Sequence, residues 1–262
     1  MKGIKPHTHA ERERVVAEIL PLLKKKFGTN LRGIAAQGSF ARGDDGPYAD
    51  LELIAFLARM PRGPRVLPHI QGFGKIVDGM LVELVWTTAE GYVKDVKDLT
   101  PYWWIAGSDR LLPLYGRRYI ARLNRTRSRV TDAACLKAVV SSWHEVQEET
   151  AKALGAIAAR NRDALPLLAA SMLNRYLITL ALLNRRPYTT AAKMVKEART
   201  FPVKPPAFGR LVRLINGGCR DLPALKRAVE ATFAGFERIL ESRGATLYDD
   251  HLDLSTKPQT PY

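Results

Sequence analysis

The chain has 262 residues, of which 46% are hydrophobic and 26% charged, and this balance is typical of a folded protein of one large or two modest domains. Its two cysteines, Cys135 and Cys219, are too few for a disulfide framework and lack zinc-ligand spacing, so we expect buried thiols. Neither a membrane-length apolar run nor a secretory signal is apparent, which predicts a cytoplasmic protein with no membrane partner.

The formal net charge is +15, which fits a nucleoside triphosphate substrate, a nucleic acid or a generally basic protein. Up to Arg127 there are 21 basic and 13 acidic residues, a net +8, and the remainder has 20 and 13, a net +7. The charge therefore looks spread along the chain. A nucleic-acid partner is possible on this composition but is not favoured.

The N-terminal half predicts an α/β arrangement. An amphipathic helix is expected over residues 11–27, because apolar residues recur at helical spacing up to Gly28. Next come a strand, a turn-rich loop with a short helix, a second strand, and two strands joined by a hairpin turn at Asp78-Gly79. The ranges of these four segments are 31–37, 38–48, 49–57 and 75–86.

From Arg117 onward the sequence becomes rich in alanine and leucine with helical period. Thr131-Asp132 is a candidate N-cap, residues 161–163 form a break, and Gly217-Gly218 separate the last two helices. The predicted helices are 132–159, 165–183, 207–215 and 223–242. The fold class expected is therefore α+β, with an α/β domain at 1–127 and a helical bundle at 128–262.

Two carboxylates, Asp50 and Glu52, lie two residues apart at the start of a predicted strand. Period two places them on one face, where like charges are unfavourable unless a cation joins them. A third carboxylate, Glu83, lies in the apolar segment LVELVW, where burial without a partner is expensive. For a lone pair we would favour a solvated strand face, but the coincidence of three predicts a shared Mg²⁺ site, with two ions.

The preceding loop, GSFARG, has features of a phosphate site. Gly38 permits close approach of the backbone, Ser39 supplies a hydroxyl and an N–H group, and Arg42 supplies a guanidinium that can bind phosphate oxygens. Glycine and serine alone are a weak signal. Their position just before the paired carboxylates makes a nucleotide the expected ligand.

A GS turn followed about ten residues later by Asp-x-Glu, between strands, resembles the DNA polymerase β nucleotidyltransferase superfamily. Within it, GSFARGDDGPYADLE, the VELVW strand, the helix with Glu145 and the segment YTTA at 188–191 are similar to the kanamycin nucleotidyltransferase family of aminoglycoside 4′-nucleotidyltransferases. The resemblance implies a polymerase-β-like N-terminal domain with a mixed sheet. It also implies a C-terminal helical domain for substrate binding and dimerisation.

The resemblance further implies Mg²⁺-dependent transfer of AMP from ATP to an aminoglycoside hydroxyl, with release of pyrophosphate, at sites in a homodimer interface. Ser39 and Arg42 would contact the nucleotide, and Asp50, Glu52 and Glu83 would bind metal. Carried over in the same way, Glu145 is the general base.

The second half departs from this family in one respect. The family's lysine one helical turn after the base is Glu149 here, and Lys152 is the candidate replacement for nucleotide binding. Glu145, Glu148 and Glu149 crowd neighbouring turns, which predicts a raised carboxylate pKa and attraction of a cationic acceptor. Without the resemblance, a solvated acidic helix face is the preferred interpretation.

Three functional hypotheses remain open. The first is the transfer to an aminoglycoside described above. The second keeps the reaction but has RNA, a protein or a metabolite as acceptor, because a polycationic aminoglycoside is repelled by the field of a protein with net charge +15. A non-catalytic nucleic-acid-binding or toxin–antitoxin-type module is the third and is disfavoured by the full carboxylate set. The aromatic residues Tyr102, Trp103 and Trp104 are expected to pack a domain junction, and residues 188–190 to line a site or cap a helix.

Overall fold

The computed structural model describes residues 3–66, 68–100, 102–106 and 110–248. Within these ranges the chain forms two compact units: residues up to 100 together with 110–129, and residues 102–106 together with 130–248. The boundary expected between residues 127 and 128 therefore lies two residues before the observed one, and the short segment 102–106 groups with the second unit. The end of the expected second domain, 249–262, lies outside the described residues.

Helices and strands follow the expected order along the chain. The helices are α1 His9–Phe27, α2 Gly38–Arg42, α3 Ala89–Lys97, α4 Trp103–Ala106, α5 Arg117–Leu123, α6 Asp132–Ser141, α7 Trp143–Ala158, α8 Leu165–Leu183, α9 Met194–Ala198, α10 Phe208–Asn216 and α11 Leu222–Glu241. The strands are β1 Leu31–Ala36, β2 Leu51–Leu57, β3 Gln71–Val77, β4 Met80–Thr88 and β5 Leu112–Tyr115.

The first unit is built on a mixed sheet with strand order β3-β4-β2-β1-β5, which confirms the α+β prediction. β2 and β4 run parallel, while the other neighbouring pairs are antiparallel. Alternate residues of β2 supply two cores: one includes Leu53 and Val16 of α1, the other Phe56 and Ile120 of α5. The central strand β2 is thus covered on both faces, whereas residues 73–77 of the edge strand β3 are exposed.

The predicted hairpin joins β3 to β4 through Asp78 and Gly79. Both residues have positive φ, 47° and 80°, as a two-residue turn matched to strand twist requires. Lys5 pairs with Asp78 and its backbone N–H donates to the Gly79 carbonyl at 3.1 Å. The N-terminal segment is thereby fixed against this turn.

The second unit is a helical bundle around α8. The helix predicted over 132–159 is interrupted at Ser142, whose hydroxyl donates to the carbonyls of Ala138 at 3.0 Å and Val139 at 3.3 Å. Such back-bonding from serine competes with the regular helical hydrogen bonds and bends the chain, so α6 ends and α7 begins. Thr131 caps α6 by accepting from the Ala134 N–H, as predicted.

Helix α8, Leu165–Leu183, is long and apolar enough to cross a membrane by length and composition, which corrects the expectation that no such segment exists. In the structure 56% of its most apolar window is buried within the protein. Tyr176, at its centre, is fully buried and its hydroxyl lies 3.0 Å from the Thr150 hydroxyl on α7. This packing is typical of the core helix of a bundle.

Of the aromatic residues singled out above, Tyr102 is exposed, whereas Trp103 and Tyr188 are buried in the second unit. Trp103 is buried, and the Trp104 carbonyl accepts from the Tyr188 N–H at 2.7 Å. Tyr188 is fully buried, stacks on Phe201, and donates from its hydroxyl to the Leu177 carbonyl at 2.8 Å. Tyr188 is therefore a packing residue, and Thr190 caps the short helical turn that follows it.

Both cysteines are buried, as predicted. Burial raises the pKa of the Cys135 thiol to about 11, so this thiol stays protonated at neutral pH. Cys219 has a pKa shifted in the same direction by burial. Neither side chain has the environment of a reactive nucleophile.

Candidate active site

Three carboxylates converge at one end of the sheet in the first unit. Asp50 immediately precedes β2, Glu52 is its second residue, and Glu83 lies on β4 directly across from Glu52 in the parallel pair. One oxygen from each carboxylate lies within 4.8 Å of the other two. Hard oxygen ligands at this spacing are the donor set that Mg²⁺ takes from proteins.

The sheet's alternation explains why these side chains meet. Leu51 and Leu53 are buried toward α1, so Asp50 and Glu52 must project from the opposite face. On β4 the buried residues Val82 and Leu84 flank Glu83 in the same way, and its side chain is exposed. The expectation of a buried Glu83 is therefore wrong, although its location beside the other two carboxylates is as expected.

Gly38 is fitted against this acidic cluster. Its φ is +63°, and a Cβ added there would lie 1.7 Å from Glu52 Oε2. The Gln37 N–H donates to the Glu52 carbonyl at 2.9 Å and so ties the turn to β2. Only glycine satisfies both the backbone conformation and the close approach.

Ser39 and Arg42 lie on α2, the single helical turn that begins at Gly38. The Ser39 carbonyl accepts from the Asp44 N–H at 3.1 Å, and Arg42 Nε donates to the Asp44 carboxylate at 3.1 Å. Asp44, which the sequence analysis did not single out, therefore orients the Arg42 guanidinium. Gly43, with φ +71°, ends the helix between them.

A buried ion pair fixes the loop that leads to Asp50. Arg12 of α1 is fully buried and lies 2.9 Å from the Asp45 carboxylate, whose side chain is only 2% exposed. Arg12 Nη2 also donates to the carbonyls of Gly46 at 2.8 Å and Ala49 at 2.8 Å. Ala49 is the residue before Asp50, so this network sets where the first carboxylate begins.

Arg12 and Asp45 are not among the site residues predicted from sequence, although the pattern of α1 contains a signal for Arg12. Arg12 lies one helical turn before Val16 and therefore on the buried face of α1. His9 extends the network: its Nδ1 is 2.7 Å from Asp45 and its ring stacks on Phe40 of α2 at 4.6 Å. A charged residue on an apolar helix face indicates a buried partner.

The acidic residues of α7 lie in the second unit and are matched with cations. Arg175 Nη1 is 2.5 Å from Glu145 Oε2, at ion-pair distance but without the alignment of a hydrogen bond. Lys152 Nζ lies 3.0 Å from both Glu148 and Glu149. The crowding expected from sequence is thus offset within the unit.

This pairing corrects one electrostatic expectation. The pKa of Glu149 is lowered, first by a hydrogen bond from the Ser171 side chain and then by Lys152. The pKa of Lys152 is raised by the same acidic neighbours, Glu148 foremost. A raised carboxylate pKa was predicted from the three adjacent glutamates, and for Glu149 that prediction is wrong because the Ser171 hydrogen bond and the Lys152 ammonium both lower the pKa.

Comparisons with known proteins bear mainly on the helical half. Residues 121–246 match the family model of the KNTase C-terminal domain. No curated protein matches the chain. A solved structure described as a nucleotidyltransferase-like protein from Exiguobacterium sibiricum 255-15 is similar over 87% of this chain and 75% of its own, with 13% identity and a TM-score of 0.47. Residues 121–246, slightly less than half of the chain, are therefore similar to the KNTase C-terminal domain.

Proposed function

We propose that this protein transfers a nucleoside monophosphate, AMP from ATP, to a hydroxyl of an aminoglycoside and releases pyrophosphate. The observation that carries the proposal is the meeting of Asp50, Glu52 and Glu83 within 4.8 Å. The matched KNTase C-terminal domain supports the same reaction class.

Asp50, Glu52 and Glu83 are the residues that would hold Mg²⁺, as two ions. Their carboxylates fit a cation, because three like charges within 4.8 Å of one another repel unless a positive charge lies between them. Bound there, Mg²⁺ supplies charge neutralisation for the transferred phosphoryl group and the leaving pyrophosphate. Glu83, being exposed, leaves this side of the site open to substrate.

The nucleotide phosphates are proposed to bind at α2. Gly38 brings the backbone close to Glu52, and Ser39 and Arg42 follow on the same turn with an N–H group, a hydroxyl and a guanidinium. Asp44 and the Arg12–Asp45 pair hold this turn and the loop after it in place before substrate arrives. Such preorganisation is what positional catalysis of phosphoryl transfer requires.

Glu145 is proposed as the general base that takes the proton from the acceptor hydroxyl. Its Oε2 is covered by protein and faces Arg175, which would also offset the charge of the carboxylate between turnovers. Glu148 and Glu149 are proposed to contact the ammonium groups of the acceptor, and Lys152 to contact nucleotide phosphate. Both roles require the Lys152 ion pairs to open when substrates bind.

We further propose a homodimer with its sites at the interface and a cytoplasmic location, in which the activity confers aminoglycoside resistance. A second acceptor class is favoured by one observation, the net charge of +15, which repels a polycation and attracts RNA. The reaction chemistry and the carboxylate roles are the same for either acceptor.

The test is mass spectrometry of kanamycin incubated with the purified protein, ATP and Mg²⁺. The proposal predicts an adenylyl mass gain on kanamycin and an equal amount of pyrophosphate. Kanamycin without a mass gain, while labelled ATP transfers AMP to added RNA, would replace the acceptor and keep the chemistry. No transfer to any acceptor by a protein that binds no divalent cation would contradict the proposal.

A further inference from the structure

The basic charge of the first unit is concentrated in one segment, residues 110–129. This segment has seven arginines and no aspartate or glutamate, so it supplies seven of the net +15. The two halves of the chain have similar net charges when they are divided at residue 127, because that division falls within the segment. The arginines are Arg110, Arg117, Arg118, Arg122, Arg125, Arg127 and Arg129.

All seven side chains are exposed, and the backbone that carries them is firmly held. Leu111, Ile120 and Leu123 are buried in the core on the α5 face of the sheet. The Asn124 side chain accepts from the Leu111 N–H and donates to the Leu111 carbonyl, each at 2.9 Å. The arginines therefore project from an ordered surface.

These arginines differ from others in the protein by lacking acidic partners. Arg12, Arg42, Arg175 and Arg185 each pair with a carboxylate at 3.1 Å or less. Within the residues that the structure describes, none of the seven forms an ion pair. Seven unneutralised guanidiniums on one segment create a field that attracts anions and repels cations.

The same surface borders a cleft of about 500 Å³. Arg32 and Arg122 line it together with Tyr119, whose ring lies 5.3 Å from the Arg122 guanidinium, and Glu90 contributes one acidic group. Leu57, at the C-terminal end of β2, also lines the cleft, whereas Asp50 and Glu52 lie at the opposite end of that strand. The cleft is thus separate from the carboxylate site.

We propose that residues 110–129 and the adjoining cleft bind the phosphate backbone of a nucleic acid. Arginine is suited to this partner because its planar guanidinium donates two parallel hydrogen bonds to phosphate oxygens, and the segment uses arginine throughout. The arginines follow one another along α5 and the turn after it, so several phosphates of one strand are available to them. The proposal does not depend on the reaction assigned to Asp50, Glu52 and Glu83.

The experiment measures binding of a fluorescent single-stranded RNA and a duplex DNA over a salt series by anisotropy. The patch variant is Arg118→Gln/Arg122→Gln/Arg125→Gln. The matched control is Lys137→Gln/Lys196→Gln/Lys226→Gln, which removes the same charge from three exposed positions of the second unit. Circular dichroism confirms that each variant is folded.

We expect the patch variant to bind at least about tenfold more weakly at low salt and to lose roughly two to three units of log–log salt slope, one per phosphate contact removed. The lysine control should bind like the wild type. Because Arg122 packs on Tyr119, the variant Arg117→Gln/Arg118→Gln/Arg125→Gln keeps that contact and should show a similar loss.

Equal weakening by the arginine and lysine variants would overturn the proposal, because it would mean that net charge alone drives binding. Absence of binding by the wild type at low salt would also overturn it. A third contrary result is arginine-dependent binding to phosphatidylserine vesicles without binding to either nucleic acid, which would assign the surface to a membrane.

Discussion

Two clusters of acidic side chains among the residues that the structure describes are built in opposite ways. In the first unit, Asp50, Glu52 and Glu83 come from neighbouring strands and approach one another within 4.8 Å. In the second unit, Glu148 and Glu149 come from one helix and share the ammonium of Lys152 at 3.0 Å. One arrangement concentrates like charge, and the other neutralises it locally.

This difference separates the proposed cation site from a surface whose charges are already paired. Gathering carboxylates across strands is unfavourable without a cation, so the fold must position them against their repulsion. The fold does so through Gly38, which approaches Glu52, and through the buried Arg12–Asp45 pair before Asp50. The glutamates of α7 need no such support, because the partners lie one turn away or on the adjacent helix.

The largest effect should come from removing one charge of the strand cluster, which consists of Asp50, Glu52 and Glu83. Asp50→Asn is expected to lower the rate of nucleotidyl transfer by roughly 10³-fold or more, because the metal loses a ligand at the reacting phosphate. Thermal stability should be unchanged or higher, since like-charge repulsion decreases. Pyrophosphate release and thermal unfolding measure the two quantities.

Glu18→Gln, an exposed carboxylate change on α1, is the matched control for Asp50→Asn and should leave both quantities as in the wild type. If Asp50→Asn retained wild-type turnover, Asp50 would not be a metal ligand. The strand cluster would then no longer differ from the α7 glutamates by binding a metal.

The second largest effect should come from disrupting the buried Arg12–Asp45 pair, which supports the strand cluster. Arg12→Met leaves the Asp45 carboxylate buried without its guanidinium, and this is expected to lower the free energy of unfolding by about 3–5 kcal/mol. Arg14→Met, on the same helix at a side chain that is 74% exposed, should change it by less than about 0.5 kcal/mol. Urea denaturation of both variants tests the difference, and equal midpoints would contradict it.

A smaller but more local effect is expected at Gly38. Gly38→Ala should lower the transfer rate by about 10²-fold, because the new methyl group displaces Glu52 from the cluster. Gly43→Ala is the matched control, since its φ of +71° brings similar strain but an added Cβ there contacts nothing within 4 Å. Steady-state kinetics of the pair separate the steric contact from backbone strain, and equal losses would assign the effect to strain.

The smallest effect is expected for the pKa of Glu149, in the acidic cluster of α7. Ser171→Ala and Lys152→Gln should each raise the pKa of Glu149, because the Ser171 hydrogen bond is the largest single cause of its lowered value and Lys152 adds both a hydrogen bond and a charge. A carboxylate whose pKa is lowered by folding stabilises the protein above its unfolded pKa, and this contribution is lost as pH falls through the folded pKa.

Both variants should therefore be less stable than the wild type only at pH values above the titration of Glu149. In acid, below that titration, all three proteins should have the same stability. Carboxyl ¹³C titration by NMR reports the pKa of Glu149, and thermal unfolding against pH reports the stability. An unchanged Glu149 pKa in Ser171→Ala would contradict the assignment of the Ser171 hydrogen bond as the largest single cause.

Much of the strand cluster could be predicted because it depends on local regularities. Period two places Asp50 and Glu52 together, and the turn at Asp78-Gly79 fixes β3 and β4. The same periodicity shows why the buried Glu83 was a wrong prediction: Val82 and Leu84 alternate with it, so VELVW is a half-buried strand. The parallel pairing of β2 with β4 comes from tertiary topology, which no local pattern encodes.

Other features depended on single contacts between distant residues. The break between α6 and α7 comes from one hydroxyl, that of Ser142, within a stretch that has helical period on both sides. The Arg175–Glu145 pair joins residues on two helices, and the Ser171 bond to Glu149 does the same. Sequence spacing within α7 could reveal the crowding of glutamates but not the cations and donors that offset it.

The central claim is tested most directly by Mn²⁺ binding, followed by electron paramagnetic resonance in the presence of a non-hydrolysable ATP analogue. The account predicts saturable Mn²⁺ binding by the wild type, its loss in Asp50→Asn and Glu83→Gln, and no change in Glu148→Gln. Equal Mn²⁺ binding by all four proteins, or stronger loss in Glu148→Gln than in Asp50→Asn, would contradict the assignment of the metal site to the strand cluster.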